Sequence, residues 1–488
     1  MRAASRFHLV LIWAVISLLT GGAIALQSWR AREEAPSAAD PSERTVAPVS
    51  LQSELVGKIC LAVRVASPLT PASQVMANAE PLQEGTLSDR LGYAILLGRA
   101  ASWEEALEHL GRIEVPEVEA GREAEELRAQ VDGAIRWRLL TEEAEAVDAA
   151  LGTDGTASET LDRVFAPELE TPWQPLEPKL GFFARALGPE ADGEALAALA
   201  VLVVTGIWYL LAFLGGVAVL GTLAGLGVFG KLRPRLAPAS DGRAAAVLGE
   251  TFAIWMAMFL GLNILAAMVA GLLIAALGEG VAEYAGLFSV GAFLASLSVL
   301  AWPRFRGVGF AELRALIGLH AGQGVLREAG AGVLCYLGAV PFLAFGLAVY
   351  ALLSILRELV AGGGAPPSHP AVDQLGSAGP AGVALLFLLA AVVAPIVEEI
   401  AFRGVLYGHL RGVLSPRIRV VSALVAALVS SFIFAVVHPQ GILFVPALGG
   451  LAVGFCLFRE LRGSLIAPMV AHGINNAVTL TIGLWLMG

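Results

Sequence analysis

Beyond residue 194 this chain is a succession of apolar runs, each about as long as a bilayer is thick, and that limits what it can become. A helix needs about 20 consecutive, mainly apolar residues to cross the hydrocarbon layer. In lipid, only a helix or a closed barrel satisfies its own backbone. Such runs lie at about 194–228, 247–277, 285–302, 329–356, 380–412, 419–438, 441–458 and 464–486. A further one, from about Leu9 to Leu26, comes after Arg2 and Arg6. Together they predict about nine spans and an all-α, polytopic helical membrane protein. Composition agrees: 57% of the residues are hydrophobic and 15% charged, against about 45–50% and about 25% in soluble chains.

Charge divides the chain. Between Arg30 and Glu194 there are 31 acidic and 15 basic residues, and in the remainder 11 and 17. Residues 1–27 read as an N-terminal signal anchor or first transmembrane helix. Ala23-Ile24-Ala25 resembles a signal-peptidase site, so the run reads as cleaved or as retained, and the residues after it are translocated either way. Residues 28–192 form the acidic insert. Its first part, 28–50, is rich in Pro, Ser, Ala and Glu and reads as a linker. From about 86 to 150 apolar residues recur at helical spacing: Leu91, Ile95 and Leu96; Trp103, Leu107 and Leu110; Leu127, Val131, Ile135 and Leu139. The insert is therefore expected to be a mainly helical domain. Residues 193–379 hold additional transmembrane helices, and 380–488 form the last part. No basic run points to nucleic acid. Cys60, Cys335 and Cys456 make neither a disulfide framework nor a metal-binding spacing.

Orientation is read from lysine and arginine. With the N-terminus in the cytoplasm, Lys231, Arg233, Arg235 and Arg243 fall in one cytoplasmic loop, and Arg304, Arg306, Arg314 and Arg327 in the next. Arg411, Arg417 and Arg419 come after them, then Arg459 and Arg462. Outside the insert only Arg357 lands on the other side, while Arg403 lies within a helix. The expected location is the cell (inner) membrane, with residues 28–192 extracytoplasmic.

An ionisable side chain inside a span costs roughly 2.5–3.5 kcal/mol on insertion scales. Most of these spans avoid such residues, and the exceptions cluster near the C-terminus. In PIVEEIAFRGVLYG, residues 395–408, Glu399 and Arg403 stand at i,i+4, where acid meets base. Glu398 points about 100° away around the helix and lacks that partner. FAVVHPQ, residues 434–440, sets Phe434 and His438 one turn apart, before a proline that ends the helix. AHGINNAV, residues 471–478, sets His472 and Asn476 on one face. That pair could bridge two helices, or present two N–H donors to one developing oxyanion. A carboxylate, two imidazoles and a carboxamide on three helices supply what water activation needs: a base, and donors for a tetrahedral intermediate. Ser430, Ser431 and Cys456 have no nucleophile motif, and Ser464 sits where a helix cap belongs.

The order Glu398-Glu399-xxx-Arg403, Phe434-xxx-His438, His472-xxx-Asn476 resembles the CPBP family of intramembrane proteases, over about residues 380–486. That family includes the type II CAAX prenyl proteases and bacterial proteins linked to bacteriocin processing or immunity. The resemblance implies a CPBP-like protease core at 380–488 and an intramembrane endopeptidase. Glu398 and His438 would activate water, His472 and Asn476 would form the oxyanion site, and Glu399 and Arg403 would support them. The substrate would be a membrane-associated peptide or protein. Zinc stays open, because Glu398, His438 and His472 are adequate ligands but no HExxH places two histidines on one helix face.

Two other functions fit the same residues: a non-catalytic scaffold that binds a peptide or partner, and a transporter. The transporter would show inverted repeats with broken helices in both halves, whereas the polar residues here gather in the C-terminal third. One geometric condition comes from rise alone. His472 lies about 15 Å from Arg462, Glu398 about 20 Å from Arg411, and His438 about 28 Å from Arg419, at 1.5 Å per residue. Tilt or a later helix start must bring His438 level with the other two. The same count places His409 about 16 Å along the axis from Glu398, at the interface.

Overall fold

The computed structural model describes residues 3–33, 46, 48–113, 121–151, 173–236, 242–361, 378–414 and 419–487. Among these every regular element is a helix, so the chain is an all-α membrane protein. It divides into two compact units. One comprises residues 36–206 with 485–488, the other residues 1–35 with 207–484.

In the first unit the helices are α2 (Leu51–Ala66), α3 (Ala72–Ala77), α4 (Leu87–Ala100), α5 (Trp103–Arg112) and α6 (Gly121–Leu151). Their starts are capped by sequence. The Ser50 and Ser102 hydroxyls accept from the amides of Ser53 and Glu105, and Thr86 and Asp89 form a reciprocal capping box. The apolar positions expected to share a face are buried together: Leu91, Ile95, Leu96, Trp103, Leu110, Leu127, Val131 and Ile135. Phe182 and Phe183 fill the same core, and Gly57 and Gly92 make room for the Phe183 ring, since a Cβ at either would lie 2.5 Å from it.

The second unit holds α1 (Ala3–Glu33), α8 (Gly242–Leu277), α9 (Gly280–Phe305), α10 (Phe310–Ile317), α11 (Val325–Ala361), α12 (Pro380–Val413), α13 (Arg419–Val436), α14 (Val445–Arg462) and α15 (Ile466–Met487). The unit boundary falls within α7 (Glu190–Val228) and again near the end of α15. Six helices among the described residues are long and apolar enough to cross a membrane: α7, α8, α9, α11, α12 and a stretch spanning α14. The apolar stretches 8–24 of α1 and 420–436 of α13 are shorter, and α15 is a continuous helix made less apolar by His472, Asn475 and Asn476. The chain is thus multi-pass. Six helices meet the length and hydropathy of a span, against the nine spans expected.

Close packing of α11 on α14 uses absent side chains. A Cβ at Gly346 would lie 2.1 Å from the Pro446 carbonyl, at Gly450 2.3 Å from the Phe342 carbonyl, and at Gly454 2.6 Å from Ala339. Small residues let membrane helices approach backbone to backbone, where dispersion replaces the missing hydrophobic drive. A backbone carbonyl cannot swing aside as a side chain can. Gly450→Leu is expected to destabilise the protein by about 1–3 kcal/mol or more through overpacking. Thermal unfolding in detergent checks this against Gly221→Leu, which meets open space and is expected to be silent.

Helix α12 is placed at both ends. Its first turn carries Pro380 and is capped from α9: the Ala381 and Gly382 amides donate to Glu283 Oε1 at 2.9 and 3.2 Å, a carboxylate where the helix dipole favours one. Within it, Leu388–Val393 and Glu399–Leu406 are π-helical, on either side of the α-helical turn Ala394–Glu398. Pro395 has no N–H for the Ala391 carbonyl, which loosens the regular ladder just there. Such π turns recur at functional sites.

The basic ends of the helices gather. The Arg235 and Leu236 amides donate to the Glu460 carbonyl, Arg411 pairs with Glu460 at 2.7 Å, and Arg462 pairs with Glu328 at 2.7 Å. Arg243 donates to the Arg306 carbonyl. Arg417 lies outside the described residues.

Candidate active site

Glu399 and Arg403 meet as their spacing predicts, Nη1 donating to Oε1 at 2.8 Å, and both are fully buried. The guanidinium carbon lies 4.4 Å from the centre of the Phe434 ring and 5.2 Å from that of Phe455. Cation–π attraction of this kind strengthens where water is absent.

Glu398 points elsewhere and is 9% exposed. Its Oε2 lies 3.8 Å from His438 Nε2 and 3.8 Å from His472 Nε2. The three side chains come from α12, α15 and the turn after α13, so His438 is level with the other two. Its helix ends at Val436, and the ring folds back over Phe434, with centroids 4.3 Å apart.

The other ring nitrogens fix the tautomers. His438 Nδ1 lies 2.6 Å from the Phe434 carbonyl, an acceptor only, so Nδ1 carries the proton. His472 Nδ1 lies 3.0 Å from Glu399 Oε1. That oxygen already accepts from Arg403, so here too Nδ1–H donates. With one proton per ring, both Nε2 atoms turn a lone pair towards Glu398. A gap of 3.8 Å is too long for a direct hydrogen bond, and it suits one water donating to the carboxylate and to an imidazole.

Asn476 stands one turn further along α15, where Nδ2 donates to the Ala390 carbonyl at 2.8 Å and Oδ1 accepts from Asn475 Nδ2 at 3.2 Å. The Ala390 carbonyl belongs to the first π-helical stretch of α12. Gly473 lies between His472 and Asn476, and a Cβ there would stand 2.6 Å from the Ala391 carbonyl. The absent side chain lets α15 come this close to the turn before Glu398. The structure therefore brings Glu398, Glu399, Arg403, His438 and His472 together, and brings Asn476 to the backbone leading into Glu398.

Glu398, His438 and His472 carry the donor atoms a zinc ion would use, although among the described residues no group of three or more His, Cys, Asp or Glu side chains is arranged to hold an ion. The other sequence candidates have plain structural partners. Ser430 donates to the Phe402 carbonyl, and Ser464 Oγ donates to the His320 carbonyl while accepting from the Ile466 amide, as a cap does. His409 is fully buried among neighbouring helices, with Nδ1 against the Ala245 carbonyl at 2.7 Å and its ring over Gly249. Helix α1 packs there, Trp13 standing 5.8 Å from the imidazole. Sequence reasoning missed Phe455 and Gly473, neither of which differs in type from ordinary residues of an apolar helix, and passed over Asn475, whose polar side chain donates to Asn476.

Residues 380–478 match the family model described as type II CAAX prenyl endopeptidase Rce1-like. Over these residues the chain is similar to the CPBP family. A curated relative, the membrane-embedded CAAX protease MroQ of Staphylococcus aureus (strain USA300), is 30% identical over 94 residues. That match covers 19% of this chain and 37% of the relative, so the chain spans little over a third of the curated protein it matches. No solved structure matches the chain significantly. The matched segment holds every charged residue of the constellation, and it leaves the first unit and the helices up to α11 outside the match.

Proposed function

We propose that the chain is an intramembrane peptidase in which Glu398 and His438 activate a water molecule. The observation that carries this reading is the convergence of two imidazole Nε2 atoms on one oxygen of a nearly buried carboxylate. Glu398 takes a proton from the water as its oxygen attacks the scissile carbonyl carbon, and later returns it to the leaving nitrogen. The resulting oxyanion needs donors. For His472 to be one of them, Nε2 must first take up a proton from solvent, and the Glu399 carboxylate then faces the resulting charge. Asn476 has a second amide hydrogen besides the one given to Ala390.

The substrate is a peptide or protein lying in or against the bilayer. The name of the staphylococcal relative describes that relative alone. The positive-inside pattern and the gathering of the basic helix ends support a cytoplasmic N-terminus and an extracytoplasmic acidic insert in the cell membrane. One observation favours a binding role without cleavage: the Asn476 amide is already engaged by backbone.

The test is cleavage of a membrane-peptide library by the purified protein in liposomes, wild type beside Glu398→Gln, each with and without chelator. Cleavage lost in the variant and kept with chelator is the expected result. Loss with chelator that zinc restores replaces this mechanism by a metal-dependent one. Equal background in wild type and variant returns the site to a scaffold.

A further inference from the structure

We infer that Phe455, on α14, is a positioning residue for His472 and thereby for the reaction proposed above, on which this inference rests. Helix α14 carries none of the motif residues. Its Phe455 ring is fully buried and touches both ends of the chain Arg403–Glu399–His472. It lies 5.2 Å from the Arg403 guanidinium carbon, and 5.5 Å from the His472 ring at an interplanar angle of 31°.

The polar contacts alone leave this chain loosely determined. Arg403 Nε and Glu399 Oε2 are buried without a hydrogen-bond partner. Arg403 Nη2 reaches the Ala452 carbonyl only at 3.5 Å. One firm bond, Nη1 to Glu399 at 2.8 Å, with the weak thiol partner Cys456 beside it, holds a planar group only loosely. The aromatic walls fix it. Phe434 covers one side of the guanidinium at 4.4 Å and meets the His472 ring edge-on, at 5.8 Å and 76°. Phe455 supplies the second wall for Arg403 and lies over His472. Its own depth is set by Gly454, packed against Ala339 of α11. Without the ring, the guanidinium gains room to swing, Glu399 Oε1 moves with it, and Nδ1 of His472 loses the partner that aims Nε2 at Glu398. Misplacement on the scale of about 1 Å is enough to slow catalysis strongly.

A ring that merely fills space predicts something different, which makes the two separable. Phe455→Leu keeps most of the bulk and removes the ring. Phe455→Tyr keeps the ring. Phe458→Leu makes the same change one turn away on α14, where the side chain is buried against Gly338. Measured as kcat and KM on a cleaved membrane peptide, Phe455→Leu is expected to lower kcat about tenfold with KM unchanged. Phe455→Tyr recovers most of that loss, and Phe458→Leu leaves kcat near wild type although its melting temperature falls comparably. Equal kcat in the two leucine variants overturns the inference, as does failure of Phe455→Tyr to recover activity. If Phe455→Leu does not fold, Phe455→Met takes its place with the same expectation. Loss of folding in both assigns the ring to packing alone and overturns the inference too. Retained cleavage in Glu398→Gln removes the peptidase mechanism itself, whereas an inactive Glu398→Gln beside a fully active Phe455→Leu removes only the role of Phe455.

Discussion

Glu398→Gln is expected to reduce cleavage by about a thousandfold or more, within the range that a positioned general base contributes, while leaving the fold intact. The two side chains have the same shape, so what changes is the capacity to accept a proton. The fold is spared because Glu398 is not the partner of Arg403; that is Glu399, bonded at 2.8 Å. The approaches of His438 and His472 to Glu398 are both 3.8 Å long, so the substitution breaks no direct ion pair. It also removes a charge from a site only 9% exposed, where ionised groups are costly. The melting temperature in detergent is accordingly expected to hold or rise. Cleavage rate and melting temperature, measured on the same preparation, check the two halves together. Activity within about tenfold of wild type would sink the role assigned to this carboxylate.

The parts of the site legible in the sequence are those that a bilayer makes expensive. Glu398, Glu399, Arg403, His438 and His472 stand out because their neighbours are apolar, and the i,i+4 pairing of Glu399 with Arg403 is visible as spacing. The residues around them carry no such cost. Phe455 is an aromatic residue in an apolar span, and Gly473 is a glycine among small residues. Their roles exist only once α14 and α15 are docked on α12. The π-helical stretches were equally silent, since Pro395 announces an irregularity but not its kind. His409 shows the limit of counting along one helix. A rise of about 1.5 Å per residue gives its depth, but its burial depends on α1 packing across α8 and α12. In the acidic unit, periodicity marked α4, α5 and α6, whereas the Phe182–Phe183 pair that completes the core sits in short turns with no period to read.

Arg403→Met is expected to destabilise the protein by about 3–5 kcal/mol, the scale on which stripping a buried charge of its partner is felt. Methionine is apolar and flexible enough to occupy the slot between the Phe434 and Phe455 rings, so lost volume is not the main term. The main term is Glu399. It is fully buried, one of its oxygens already lacks a partner, and without the guanidinium only His472 Nδ1–H remains to face it. Removing both charges is a different experiment from removing one. In Arg403→Met/Glu399→Gln no carboxylate is left uncompensated, and replacing a buried pair by neutral groups is often close to neutral in stability. The double variant should therefore melt well above the single one, and thermal unfolding in detergent across wild type, both singles and the double gives the coupling directly. Activity need not track stability. The carboxamide introduced by Glu399→Gln can still accept from His472 Nδ1–H, but it offers no negative charge to a doubly protonated ring. The double variant is expected to fold well and cleave slowly, which would separate the pair's support of the fold from its support of His472.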